Sequence, residues 1–201
     1  RVLGRKEFPL IPRNLLPEKY QQLWCVASGF AACPALAQDI DVWVYGIPTD
    51  ELDAAAVEIY NHLMVVTSDP KVPTTYRAKF AVLERADESR TQESYMQTFI
   101  QIKKVAVVYG RKGDFTKVKP IHIMVTDAPG GPGSIIEGFD ISTHAVAIDW
   151  NGRVWTNQYT HPGEQPRLLA SANEKTPERM QRICERYGHP YVGQEVPVGK
   201  I

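Results

Sequence analysis

The sequence predicts an α/β (α+β) fold, a mixed and strongly twisted β-sheet of about five to seven strands flanked by helices. Three observations predict it. Apolar runs of strand character recur along the chain, at 40–44, 100–109 and 121–125. One long stretch instead repeats Leu52, Ala56, Ile59, Leu63 and Val66 at three- and four-residue steps, the period of an amphipathic helix. Hairpin-turn chemistry appears late, at Asp149-Trp150-Asn151-Gly152-Arg153.

A chain of 201 residues is long enough for one domain with a substantial core. Its hydrophobic share of 43% and charged share of 23% are those of an ordinary globular protein rather than a disordered one. The formal net charge is zero, so no global field advertises nucleic acid as a partner. Charge is nevertheless segregated: Asp39, Asp41, Asp50, Glu51, Asp53 and Glu58 follow one another without a base, while Lys103, Lys104, Arg111, Lys112, Lys117 and Lys119 share their stretch with Asp114 alone. Cys25, Cys33 and Cys184 form no C-x-x-C pair, and their odd number argues against a disulfide framework. A reducing, cytoplasmic compartment is the expectation. No apolar run approaches the roughly 20 residues of a membrane helix, so no membrane partner is expected.

Taken in order, residues 1–19 hold Pro9, Pro12 and Pro17 and read as an extended arm. Residues 20–188 form the domain and 189–201 a tail. Glu18 to Ala27 reads as a short helix with Tyr20, Leu23 and Trp24 on one face. A small-residue turn at Ser28-Gly29 then opens a second short helix, which leads to the strand Asp39-Ile40-Asp41-Val42-Trp43-Val44. After Pro48, Thr49 is a good N-cap for the long helix, and Asp50, Glu51 and Asp53 suit its positive end better than they suit a metal.

A loop at 67–75 and a strand from Tyr76 to Arg85 follow, then a polar segment at 86–98. The strand at 100–109 closes in a turn at Gly110-Arg111-Lys112-Gly113-Asp114. Next, Ile121, Ile123 and Val125 alternate with His122 and Met124, as in a half-buried strand. The turn Pro129-Gly130-Gly131-Pro132-Gly133 lacks the Gly-Lys-Ser/Thr ending of a phosphate-binding P-loop. Ser134 with Glu137 three residues on predicts one to two helical turns, and Asp140 to Asp149 a strand. His144 shares Asp140's face on that strand, where it either lines the site or takes a structural role. Residues 157–175 read as loop. Thr176 caps a final helix with Pro177 at its first position and Gly188 as its stop; Arg179, Arg182 and Arg186 share one face of it, which is either solvated or grips phosphate or the acidic stretch.

The chemistry concentrates around Ser28, Gly29, Asp39 and Asp41. Side chains two apart on a strand share a face, so Asp39 and Asp41 point one way while Ile40, Val42 and Val44 point into the core. Two acids so placed repel each other unless a cation neutralises them. Ser28-Gly29 adds backbone N–H groups where a turn feeds a helix, an anion-binding arrangement.

This set resembles the signature of the DNA polymerase β-like nucleotidyltransferase superfamily in its compact, viral or phage-like form: a Gly-[Gly/Ser]-like turn, a short helix and an acid-x-acid strand. The order Ser28-Gly29 departs from the family's Gly followed by Gly or Ser. Phe139-Asp140-Ile141 resembles the motif that supplies the third carboxylate, with Asp149 the competitor that hairpin chemistry explains better. The helix Thr176-Pro177-x-Arg179 leading to Tyr187-Gly188 is similar to the C-terminal helix of some viral members.

The resemblance implies that Asp39, Asp41 and Asp140 hold two Mg²⁺ ions, or Mn²⁺ in their place, and that Ser28 and Gly29 hold the β- and γ-phosphates of a nucleoside triphosphate. It implies transfer of a nucleoside monophosphate to a hydroxyl with release of pyrophosphate. The acceptor would be nucleic acid (tRNA, or an RNA or DNA end), a protein or a small molecule. The alternative is a non-catalytic nucleotide- or protein-binding module on the same fold.

Overall fold

The computed structural model describes residues 15–68, 80–81, 100–108, 119–157, 166–169, 172 and 174–188. Seven strands are found among them: β1 (Trp24–Ala27), β2 (Ile40–Val44), β3 (Phe80–Ala81), β4 (Ile102–Val108), β5 (Ile121–Thr126), β6 (Val146–Asp149) and β7 (Val154–Thr156). They form one sheet in the order β3-β4-β5-β2-β1-β6-β7. β2 and β5 are parallel and the other neighbours are antiparallel, so the fold is a mixed-sheet α+β architecture. Its helices are α1 (Gly29–Ala32), α2 (Leu52–Ser68), α3 (Pro132–Glu137) and α4 (Thr176–Tyr187). No described helix is long and apolar enough to cross a membrane.

The two-residue period of the strands sorts side chains to the two faces of this sheet. Val26 of β1, Ile40, Val42 and Val44 of β2, and Ile121, Ile123 and Val125 of β5 meet Leu52, Ala55, Ile59, Leu63 and Val66 of α2 in one core. Each large aliphatic side chain buried there contributes about 1.5–3 kcal/mol. Cys25 and Ala27, Trp43, and Met124 take the opposite face and pack with Ile135, Ile136 and Phe139 around α3. Asp41 and His122 lie in the same parity as Trp43 and Met124, and therefore belong to this second face.

Five sequence expectations change. Glu18 to Ala27 is not a helix: a 3₁₀ turn at Glu18–Tyr20 is followed by β1. Lying between β2 and β6, β1 buries Cys25, Val26 and Ala27 completely. A strand covered on both faces is a continuous apolar run, which periodicity alone cannot separate from a helix. Thr49 caps nothing; it begins a 3₁₀ turn and its hydroxyl donates to Asp127 Oδ2 at 2.6 Å. Likewise α3 starts at Pro132 behind Gly131, and Ser134 Oγ accepts the Gly130 N–H at 2.9 Å.

The strand expected from Asp140 to Asp149 begins only at Val146, because the chain before it pairs elsewhere. Ser142 N–H donates to Arg167 O at 2.9 Å, Leu169 N–H donates to Asp140 O at 2.8 Å, and a 3₁₀ turn at Ser142–His144 intervenes. Face parity between Asp140 and His144 is thereby lost.

The last helix ends as expected, with Gly188 in the left-handed region (φ 70°), but Thr176 does not cap it: the helix begins at Thr176 behind Lys175, and the Thr176 hydroxyl donates to Asp140. The helix buries Met180, Ile183 and Cys184 against Ile141 and Leu168. Residues 1–14 of the arm, most of the strand expected at 76–85, the segment 86–98, the turn at 110–114, most of the loop 157–175 and the tail 189–201 lie outside the described residues.

Candidate functional site

Strand register brings the candidate residues to one end of the sheet. Ala27, the last residue of β1, stands opposite Asp41, so the Ser28-Gly29 turn begins beside the acids. On the other side of β2, Asp41 stands opposite His122 of β5. Asp39 lies one residue before β2, two positions from Asp41. One donor atom from each of Asp39, Asp41 and His122 falls within 4.8 Å of the others, and His122 Nε2 is 3.7 Å from Asp39 Oδ2.

Asp39 and Asp41 come together as the sequence predicts; their third companion is a histidine. Burial, then the Asp39 charge, pushes the Asp41 carboxyl up to about 7, against the opposing pull of Lys104 and Arg179. Burial lowers the His122 pKa, with Asp39 acting in the opposite direction and Lys104 in the same one. His122 is thus held toward the neutral imidazole, the form that ligates a metal. Among the described residues, no hydrogen bond reaches the Asp41 carboxylate. Two carboxylates and a neutral imidazole are a donor set that fits a divalent cation, whose charge would offset both the burial and the Asp39 repulsion that raise the Asp41 pKa.

Ser28 is the only described non-glycine residue with a positive φ, at φ 70° and ψ −140°. Gly131, before α3, has nearly the same conformation (φ 59°, ψ −135°) and carries no side chain. A residue with a Cβ in such a glycine region costs on the order of 1–3 kcal/mol, and strain of this kind gathers at functional turns. Ser28 N–H donates to Val146 O at 3.0 Å, and its carbonyl accepts from Ala32 N–H at 3.0 Å. Gly29 is favoured for a different reason. A Cβ there would lie 3.0 Å from Tyr187 Oη and 3.5 Å from His144 Nε2, so glycine lets the end of α4 close over the turn. His144 is buried, packs edge-on against Tyr187 at 5.2 Å and shares a 3.2 Å hydrogen bond with Thr143 Oγ1, contacts that suit the structural one of its two expected roles.

Asp140, expected to complete the acidic set, stands outside the cluster of Asp39, Asp41 and His122. Asp140 is 2% exposed; its Oδ2 accepts from Thr176 Oγ1 at 3.0 Å, and its Oδ1 from Arg179 Nη1 at 2.5 Å. Both oxygens are engaged in fastening α4, and Asp140 does not join Asp39 and Asp41. Asp149 is occupied too: Oδ1 accepts the N–H groups of Asn151 (3.0 Å) and Arg153 (2.9 Å), and Oδ2 accepts Trp155 Nε1 (3.1 Å). That is the hairpin role its sequence context predicts.

Sequence reasoning missed His122. The signal for it was a titratable residue alternating with Ile121 and Ile123 on a strand; its partner strand was not legible. Arg179 was expected on a face that is either solvated, where Arg182 does pair with exposed Glu178 at 2.7 Å, or turned to phosphate or the acidic stretch. Instead Arg179 turns to Asp140, and its positive charge reaches both Asp41 and Tyr187. The basic stretch is also partly neutralised, since Lys103 pairs with Asp53. No family model and no curated protein matches this sequence.

Proposed function

We propose that this chain is a divalent-cation-dependent nucleotidyltransferase with a DNA polymerase β-like arrangement. It would move a nucleoside monophosphate from a nucleoside triphosphate to a hydroxyl and release pyrophosphate. One observation carries the reading: register places the strained Ser28-Gly29 turn beside Asp41, at the sheet end where Asp39 and His122 also lie. Anion-binding backbone and cation-binding side chains then share one small region.

Asp39 and Asp41 would hold the cation, Mg²⁺ or Mn²⁺. When bound, such a cation neutralises the triphosphate and the departing pyrophosphate and acidifies the attacking hydroxyl. The chain's own residues do the rest. The N–H groups at the start of α1 have no partner inside that four-residue helix and orient the β- and γ-phosphates beside Ser28 and Gly29. Arg179, anchored by Asp140, adds fixed positive charge on the α4 side. The chemistry fits a hydroxyl on a nucleic-acid end (tRNA, RNA or DNA), a protein or a small molecule.

The test is incubation with each labelled triphosphate and Mg²⁺ or Mn²⁺, offering RNA, DNA and cell protein. Transfer is expected, with a loss of about a hundredfold or more in Asp39→Ala and in Asp41→Ala. Undiminished transfer in both variants contradicts the reading. A second reading is favoured by the engagement of Asp140 elsewhere: a module that binds nucleotide without transferring it. Thermal stabilisation by a triphosphate and cation, with no label transferred to any acceptor, selects that module.

A further inference from the structure

The face of the sheet that carries Asp41 holds no third carboxylate near it among the described residues. Asp140 is bound to Thr176 and Arg179, and Asp149 to its own hairpin. The position opposite Asp41 on the parallel neighbour β5 belongs to His122. Its imidazole is half-buried, reaches within 3.7 Å of Asp39, and shares the 4.8 Å donor cluster with both acids. Mg²⁺ favours oxygen ligands and near-ideal octahedral geometry, whereas imidazole nitrogen suits softer first-row cations. Two carboxylates balance the charge of one divalent ion, and three protein ligands leave positions open for water or phosphate oxygen.

We infer that His122 is the third ligand of a single cation held with Asp39 and Asp41, and that this site takes Mn²⁺, Co²⁺ or Zn²⁺ in preference to Mg²⁺. The inference rests on reading the cluster as the cation site of the proposed function. It differs from the three-carboxylate, two-magnesium arrangement in ligand identity, in the number of ions the protein itself holds and in the class of ion. His122→Asp would convert the cluster to three carboxylates and shift its preference toward Mg²⁺.

The experiment titrates Co²⁺ and Mg²⁺ separately into the full chain without nucleotide. The wild type is expected to bind Co²⁺ more tightly, as any such site does to some degree, so the deciding readout is dependence on the imidazole. His122→Ala is expected to weaken Co²⁺ binding at least tenfold, about the loss that even an outer partner of a metal ligand brings, while leaving Mg²⁺ binding within about twofold. His122→Asp is expected to narrow the gap between the two ions. Proton NMR of the Co²⁺-loaded wild type needs no variant and is expected to show a hyperfine-shifted, exchangeable imidazole N–H. Absence of that resonance, or unchanged Co²⁺ affinity in folded His122→Ala, overturns the inference. Because no nucleotide is present, the outcomes separate. Imidazole-dependent binding without transfer sinks the proposed function alone, and transfer indifferent to His122 with Mg²⁺ sinks this inference alone.

Discussion

Asp140 and Asp41 lie on adjoining parts of one domain and have opposite surroundings. Asp140 is buried with both oxygens taken, one by the Thr176 hydroxyl and one by the Arg179 guanidinium. Asp41 is half-buried and faces a second carboxylate and an imidazole, with no hydrogen bond reaching it from the described residues. The first carboxylate is complete within the fold and ties α4 to the segment before β6. The second is incomplete: burial and then the Asp39 charge push it up to about 7. A buried acid with satisfied oxygens stabilises the fold, and an acid held against like charge is available for chemistry.

The comparison is broken most forcefully by removing the satisfied acid. Asp140→Ala strips Thr176 and Arg179 of the buried carboxylate they share and is expected to destabilise the chain by about 3–5 kcal/mol, read by urea denaturation. Asp140→Asn, which keeps the shape and one acceptor oxygen, is expected to cost less. If Asp140→Ala unfolds at the wild-type midpoint, the structural role assigned to it is wrong.

A smaller effect sharpens the other side. Folded Asp41 keeps its proton up to about pH 7, whereas an unfolded aspartate releases it near its ordinary 3.8. The folded state therefore binds the extra proton in between, and stability from this group falls as pH rises through that window. His122 acts oppositely: its lowered folded pKa makes stability rise as pH climbs toward 6.5. The difference between wild type and Asp41→Asn isolates the aspartate. In cation-free buffer the variant is expected to gain on the wild type between pH 4 and pH 7, by on the order of 1–2 kcal/mol after water screening of a half-buried group. Parallel stability curves would show that Asp41 is not strained by its neighbours.

Smallest is the turn. Ser28→Gly removes a Cβ from a glycine conformation at the cost of a freer unfolded chain, and a net gain of about 1 kcal/mol is expected in thermal unfolding. A loss would show that the Ser28 side chain makes up for the strain.

How much of this was legible follows the range of the interactions. The parity that puts Asp39 and Asp41 on one face, the α2 stripe from Leu52 to Val66, the Asp149 turn and the Gly188 stop all depend on residues a few positions apart, and local pattern holds them. His122 was visible as a polar residue in an apolar strand, yet its pairing with Asp41 depends on β5 lying parallel to β2, and nothing in either segment encodes that neighbour. Asp140 misled for the same reason. Its flanking Phe139 and Ile141 fit a strand, while its partners come from a helix that begins at Thr176. β1 was hidden because an apolar run buried on both faces has no period to read.

On the proposed function, Asp41 is the acid that needs a cation and Asp140 the acid that does not. Calorimetric titration of Mn²⁺ into the wild type, Asp41→Asn and Asp140→Asn tests this directly. Binding is predicted in the wild type, preserved within a few-fold in Asp140→Asn and lost in Asp41→Asn; equal binding by wild type and Asp41→Asn, or loss confined to a folded Asp140→Asn, would contradict it.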